Sequence, residues 1–220
     1  MMQDRNTAVS PVVGVMLMLV VTIIIAAVVS AFAGGIGTEQ HKTPQVTVAA
    51  KSVIQDIQGT TSPDYPWDLK YPDGYTAANG VRFENTGGDT FSLNDIEIQL
   101  QTGDTSYTIR PTDKVRASDD PDYKCVLPVG ISNGGYFQKV GNTSVSDRMI
   151  APGDMFMLYA DGNSKEVTYS GGYGYYGPKI SWRPQGAENG FSVYLNTKVQ
   201  YKIIDLGSGR VMTSGELIVA

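Results

Sequence analysis

The chain reads as mainly β with one long N-terminal α-helix: an antiparallel β-sandwich head, immunoglobulin-like or related, on a hydrophobic tail. Three observations predict this. An uncharged apolar run fills Val12 to Ala33. From Val46 onward short apolar runs alternate with polar residues and are broken by Gly, Asp, Asn and Pro. Beyond about residue 58 no amphipathic stretch is long enough for a packed helix.

Only Thr22 and Ser30 are hydroxylated within the apolar run, and both hydroxyls can bond back to the helix backbone. At 1.5 Å per residue the run would be roughly 33 Å long, close to the ~30 Å of a hydrocarbon core. Ser10 suits the cap and Pro11 the first helical position, where a missing N–H costs nothing. Gly34, Gly35 and Gly37 end the run, and polar "TEQHKTP" follows. A secretory signal would have a shorter apolar core and be cut at its end, here near Ala33 in "SAFAGG". A single-span anchor would be kept. Hydropathy alone leaves anchor and other retained uses open.

"AVSPVVGVMLMLVVTIIIAAVVSAFAGG" resembles the N-terminus of archaeal type IV pilins and, more distantly, archaellins. The resemblance implies a class III signal peptide, cut by a prepilin peptidase before the helix, so that the helix is retained. Residues 1–6 would be the leader, with Arg5 at its basic position, Asn6 its last residue and Thr7 the first mature one. The family's leader usually ends in Gly or Ala, and Asn6 departs from that pattern. Pro11 stands where bacterial pilins carry a glutamate, as in the archaeal "SPV" group. Residues 7–37 would then span the membrane before assembly and form the filament core afterwards. Ser10, Pro11, Gly14, Leu17, Ala26, Ala27, Ser30 and Ala31 are the expected packing positions, the small ones letting helices approach closely. Expected partners are identical subunits in a helical homopolymer, the prepilin peptidase and the pilus assembly machinery. Residues 38–44 are expected to link tail to head, and 45–220 to form the head. Implied is an extracellular adhesive filament, with a membrane-tethered ligand- or glycan-binding ectodomain and an archaellum subunit as alternatives.

Within the head, "QVTVAAKSVIQDI" fits a strand or a stalk helix leading into one. "TSPDYPWDLKYPDGYTAANG" reads as a long loop, packed through Tyr65, Trp67 and Tyr71. "VRFENTGGDTFSLNDIEIQLQTG" reads as strand, turn and strand, with "NTGG" as the turn. "SYTIRP", "KCVLPVGI", "GGYFQKVG", Met155–Tyr159 and "KISW" are further strand candidates. Tyr201 and Ile203 lead into a "GSG" turn and Val211 leads out, forming a terminal hairpin.

The 220 residues carry 22 acidic and 17 basic side chains, net −5, with no basic block, which argues against nucleic acid as a partner. Cys125 is the single cysteine, so an intrachain disulfide is impossible, and a buried strand position suits it. His41 is the single histidine, there is no zinc-type cluster and no G-x-S-x-G, and neither catalysis nor a cofactor is expected. Gly172, Gly174 and Gly177 form G-x-G-x-x-G, but Pro178 and a strand follow rather than a helix. The same loop offers Tyr173, Tyr175 and Tyr176, for surface contact or for covering the core. "DGNSKE" fails the EF-hand pattern. Asp119, Asp120 and Asp122 fit a solvated turn or an irregular calcium site. Asn142 heads an N-glycosylation sequon.

Overall fold

The computed structural model describes residues 11–35, 42–61, 69–115, 126–128, 131, 135–141, 146–165, 177–187 and 190–220. Two compact units divide at His41/Lys42. The first contains helix α1 (Pro11–Gly35). Unbroken apolar residues with no internal proline sustain it.

The second unit, Lys42–Ala220, is the β head. Its strands in chain order are β1 (Val46–Val53), β2 (Thr60–Thr61), β3 (Leu69–Lys70), β4 (Gly80–Gly88), β5 (Phe91–Ser92), β6 (Ile96–Thr102), β7 (Thr105–Ile109) and β8 (Phe137–Lys139). They continue as β9 (Met149–Ile150), β10 (Met155–Tyr159), β11 (Gly162–Ser164), β12 (Lys179–Trp182), β13 (Phe191–Tyr194), β14 (Thr197–Asp205) and β15 (Arg210–Val219). One four-stranded sheet has the order β1-β4-β10-β8 and a second has β15-β14-β6-β7. A three-stranded sheet, β11-β12-β13, and the short ladders β2-β3 and β5-β9 complete the head. Adjacent strands pair antiparallel in each ladder.

Alternation places the core. On β6, Ile96, Ile98 and Leu100 are fully buried, while Glu97 and Gln99 between them are partly exposed. Val199, Tyr201 and Ile203 on β14 are buried, and Lys198, Gln200 and Lys202 are exposed. Aromatic rings join the two large sheets: Phe83 on β4 stacks on Phe156 at 5.1 Å and meets Tyr201 of β14 edge-on at 5.3 Å. Phe191 lies 6.1 Å from Trp182 and 6.4 Å from Tyr107, tying the small sheet to β7.

Strands β1 and β15 end their respective sheets. Side chains bridge them. The Ser52 hydroxyl donates to the Ala220 carbonyl at 3.1 Å and accepts from the Ala220 N–H at 3.2 Å. From β14, the Tyr201 hydroxyl donates to the Val48 carbonyl at 3.2 Å. Its ring crosses Gly215, its ladder partner on β15. A β-carbon at Gly215 would lie 2.7 Å from the Tyr201 hydroxyl oxygen and 2.9 Å from two ring carbons, so only glycine leaves the ring its path.

Several sequence readings are corrected. "NTGG" is not a turn: Asn85 to Gly88 continue β4, whose ladder with β1 absorbs an irregularity at Thr47/Val48. The chain turns afterwards, where Asp89 N–H donates to the Gln45 carbonyl at 2.8 Å and Gln45 N–H to the Asp89 carboxylate at 2.9 Å. Gly88, at φ 101°, lies so close to that carbonyl that no side chain would fit. Val126 to Pro128 of "KCVLPVGI" form no strand. Their backbone is satisfied by loop contacts instead, Val126 N–H donating to the Asp161 carbonyl at 3.1 Å and Ala77 N–H to the Val126 carbonyl at 2.7 Å. "QVTVAAKSV" resolves as strand β1, not a stalk helix. Tyr71 packs on the head as expected, 8% exposed, whereas Tyr65 and Trp67 lie outside the described residues.

Gly215→Ala overpacks the Tyr201 path and is expected to cost about 1–3 kcal/mol. Tyr201→Phe leaves the Val48 carbonyl without this donor and is expected to cost about 1 kcal/mol. Urea unfolding of the full chain in detergent measures both, and a midpoint unchanged in Gly215→Ala contradicts the packing described.

Candidate functional site: the apolar tail and the head surfaces

Helix α1 has 25 residues and, at 1.5 Å per residue, is roughly 37 Å long. It is long and apolar enough to cross a membrane. Every side chain from Pro11 to Ala31 is exposed, the large ones from 45% at Val21 to 73% at Met18. No side of the helix is polar, so the whole circumference calls for an apolar surrounding. Thr22 satisfies its hydroxyl internally, donating to the Leu19 carbonyl at 2.9 Å.

The expected packing positions Pro11, Gly14, Leu17, Ala26, Ala27, Ser30 and Ala31 all lie on α1 and are exposed. They do not form one stripe. At 3.6 residues per turn, Ala26, Ala27, Ser30 and Ala31 share one side about 140° wide, and Gly14 and Leu17 fall on the other. The small residues thus make one shallow side near the C-terminal end of the helix. Arg5, Asn6, Thr7 and Ser10 lie outside the described residues. So do His41, Asp119, Asp120, Asp122, Cys125, Asn142, Gly172, Tyr173, Gly174, Tyr175 and Tyr176. Gly177 is described and is followed by Pro178 and strand β12, not by the helix a dinucleotide loop opens.

In the head, the polar side chains drawn together are internal ties. Asp161 of "DGNSKE" is fully buried. Its carboxylate accepts the Tyr136 hydroxyl and the Arg183 backbone N–H, the latter at 3.0 Å. Asn163, 1% exposed on β11, accepts the N–H groups of Gln58 and Gly59 at 3.0 and 3.1 Å. Its backbone carbonyl accepts the Tyr71 hydroxyl at 2.8 Å. Asn79 holds the preceding segment, accepting from Gln55 and Asp56 N–H at 2.7 and 3.2 Å and donating to the Asp56 carbonyl at 2.6 Å. The cluster pins 55–59 against β11. It was missed in the sequence because Asp and Asn beside Gly read as a turn. The preceding strand Met155–Tyr159, buried at Phe156 to Leu158, is the signal that "DGN" stays inside.

Among the described residues no group of three or more His, Cys, Asp or Glu could hold a metal ion. An open depression of about 310 Å³ on β14 and β15 is lined by Gln200, Tyr201, Lys202, Ser214, Gly215 and Glu216. On the other large sheet, Lys139 of β8 binds Asp154 at 2.7 Å, Asp147 at 3.3 Å and the Met149 carbonyl at 2.9 Å. The hydrogen bond to Asp154 raises the Lys139 pKa, and that from Lys139 lowers the Asp154 pKa.

The chain thus pairs an apolar helix of membrane-spanning length with an antiparallel β head. Residues 7–48 match the family model described as archaeal type IV pilin, N-terminal. That match supports the archaeal pilin family for this chain. It covers α1 and the first residues of β1, and leaves the rest of the head unmatched. The search of curated proteins found no match.

The Lys139–Asp154 pair sets a pH dependence. Because the folded-state pKa of Asp154 is depressed, its stabilisation is present above the unfolded carboxylate value of about 3.9 and is lost as pH falls through the folded value. Asp154→Asn is therefore expected to lose less stability on acidification than the parent chain. Unfolding midpoints at about pH 6 and about pH 3 measure this, and equal losses in the two proteins refute it.

Proposed function

We propose that this chain is a structural subunit of an archaeal type IV pilus-like extracellular filament, polymerising through its N-terminal helix and serving surface adhesion. The observation that carries the reading is a tail apolar on every side, joined to a match with the N-terminal region of archaeal type IV pilins. Before assembly residues 7–37 span the membrane; in the filament they form its core, and the heads, residues 45–220, form its exterior beyond a linker at 38–44. Moving such a helix from lipid into a bundle of like helices changes its apolar exposure little. Its shallow side at Ala26, Ala27, Ser30 and Ala31 suits close helix approach.

In this reading the prepilin peptidase removes residues 1–6, recognising Arg5 and cutting between Asn6 and Thr7. The assembly machinery then adds identical subunits to a helical homopolymer. Asn142 carries a glycan on the head, and Tyr173, Tyr175 and Tyr176 contribute surface contact. The "SPV" start favours an adhesive pilus over a rotating archaellum.

Filaments sheared from cells expressing the full chain test this. Intact mass and N-terminal analysis are expected to give a mature chain beginning at Thr7 with α1 retained, in sedimentable filaments. A chain beginning after Ala33 indicates secretion, and an uncut chain without sedimentable filaments indicates a tethered ectodomain; either result overturns the reading.

A further inference from the structure

Strands β1 and β4 carry charges on their outward face that nothing on the same face answers. Val48 on β1 and Val81, Phe83 and Asn85 on β4 are buried, so Thr47, Ala49 and Lys51 point away from the core, as do Arg82, Glu84 and Thr86. The register then sets Lys51 directly opposite Arg82, and Ala49 directly opposite Glu84. Like charges opposite each other across an antiparallel pair destabilise it. The next strand offers no relief, because β10 places Met157 beside Arg82 and Met155 beside Glu84. Lys51 and Glu84 are exposed and Arg82 is half-buried. Among the described residues, none forms an ion pair with Lys51, Arg82 or Glu84.

Arg82 and Glu84 stand two positions apart on β4, about 6.6 Å along a strand, and do not meet within one chain. A two-fold axis parallel to the sheet, crossing β4 at Phe83, brings them together between two chains. About that axis the row Lys51–Arg82 of one copy covers the row Ala49–Glu84 of the other, and the reverse contact forms at the same time. Arg82 meets Glu84. Lys51 meets Ala49, whose methyl group leaves the longer side chain room beside the same carboxylate. Each Glu84 receives two cations, and the repulsion within each Lys51–Arg82 pair is offset. Along the strand these residues lie about 3.3 Å from the axis, where the crossing angle of stacked sheets displaces them least. The signs also select the occupant. A polyanion would meet Glu84, and a polycation would meet Lys51 and Arg82. A second copy answers both signs at once.

We propose that the outward face of β1 and β4 is an isologous contact between the heads of two copies of this chain, with Arg82 and Lys51 of each on Glu84 of the other. The patch is small beside the ~800 Å² per partner of a stable interface, so the pairing is weak and sensitive to salt. It does not rest on the filament reading. An isologous contact closes on itself and cannot extend a polymer. In a filament generated by a screw operation adjacent heads share no two-fold axis, so the contact ties subunits of separate filaments. That consequence alone rests on the filament reading.

Charge exchange on the full chain in detergent tests the pairing by sedimentation at low and high salt. The tail is the same in every variant, so differences report the head. Glu84→Arg makes the patch wholly cationic, and Lys51→Glu with Arg82→Glu makes it wholly acidic. Each alone is expected to associate about tenfold or more weakly than wild type at low salt, and their equimolar mixture to recover wild-type association. Unchanged association of either variant alone, no recovery in the mixture, or wild-type association indifferent to salt overturns the proposal. If one of these chains fails to fold, the chain with both Arg82→Glu and Glu84→Arg decides: it is expected to pair with itself as wild type does, and loss of pairing overturns the contact. Failure of the wild-type chain to form filaments in cells removes the tie between filaments and leaves this outcome unchanged.

Discussion

The head depends on one side chain that reaches across its edge. Tyr201 belongs to the second sheet, packs edge-on against Phe83 of the first, and donates its hydroxyl to the Val48 carbonyl of β1. No backbone ladder joins β1 to β15 among the described residues, so such side-chain bridges hold this edge together. An open strand edge presents unpaired N–H and C=O groups and invites pairing with other chains. Here one of those carbonyls is occupied from within, and Ser52 occupies the backbone of Ala220. Gly215 makes the arrangement possible by having no side chain in the way of the ring.

Tail and head solve the burial of apolar surface differently. The head folds its apolar residues between sheets, with Val81, Phe83, Ile98, Phe156, Leu158 and Ile203 fully buried. The tail is exposed from Pro11 to Ala31. Its backbone is satisfied within the helix, so lipid and a bundle of like helices are both acceptable surroundings. That dual tolerance is what a subunit passing from membrane to filament requires. A head with a core of its own can keep its fold while its surroundings change.

Much of this was legible in the sequence, for identifiable reasons. The tail declares itself by uninterrupted apolar residues, and β6 and β14 by strict alternation at Ile96, Ile98 and Leu100 and at Val199, Tyr201 and Ile203. Signals failed where composition and tertiary context disagreed. "NTGG" has turn chemistry, yet it continues a strand, and its Gly88 meets the close approach of Gln45. "KCVLPVGI" has strand composition, yet Val126 to Pro128 are held by bonds to Ala77 and Asp161. Asp161 and Asn163 look like solvent-facing turn residues, and their role inside comes from partners distant in sequence, Tyr136, Tyr71 and Gln58. The opposition of Lys51 and Arg82 was equally hidden, because register is a property of two strands and not of either strand alone.

The pairing of chain ends at this edge also orders events in time. Strand β1 opens the head and β15 is its last strand, and Ser52 meets Ala220 across nearly the whole length of the domain. Contacts that close so long a loop form after local hairpins and require both partners to be present. While the chain is still emerging, β1 can pair with β4 but the Tyr201 bridge and the Ser52 latch have no counterpart. The head's bridged edge is thus completed only once the hairpin β14–β15 is present.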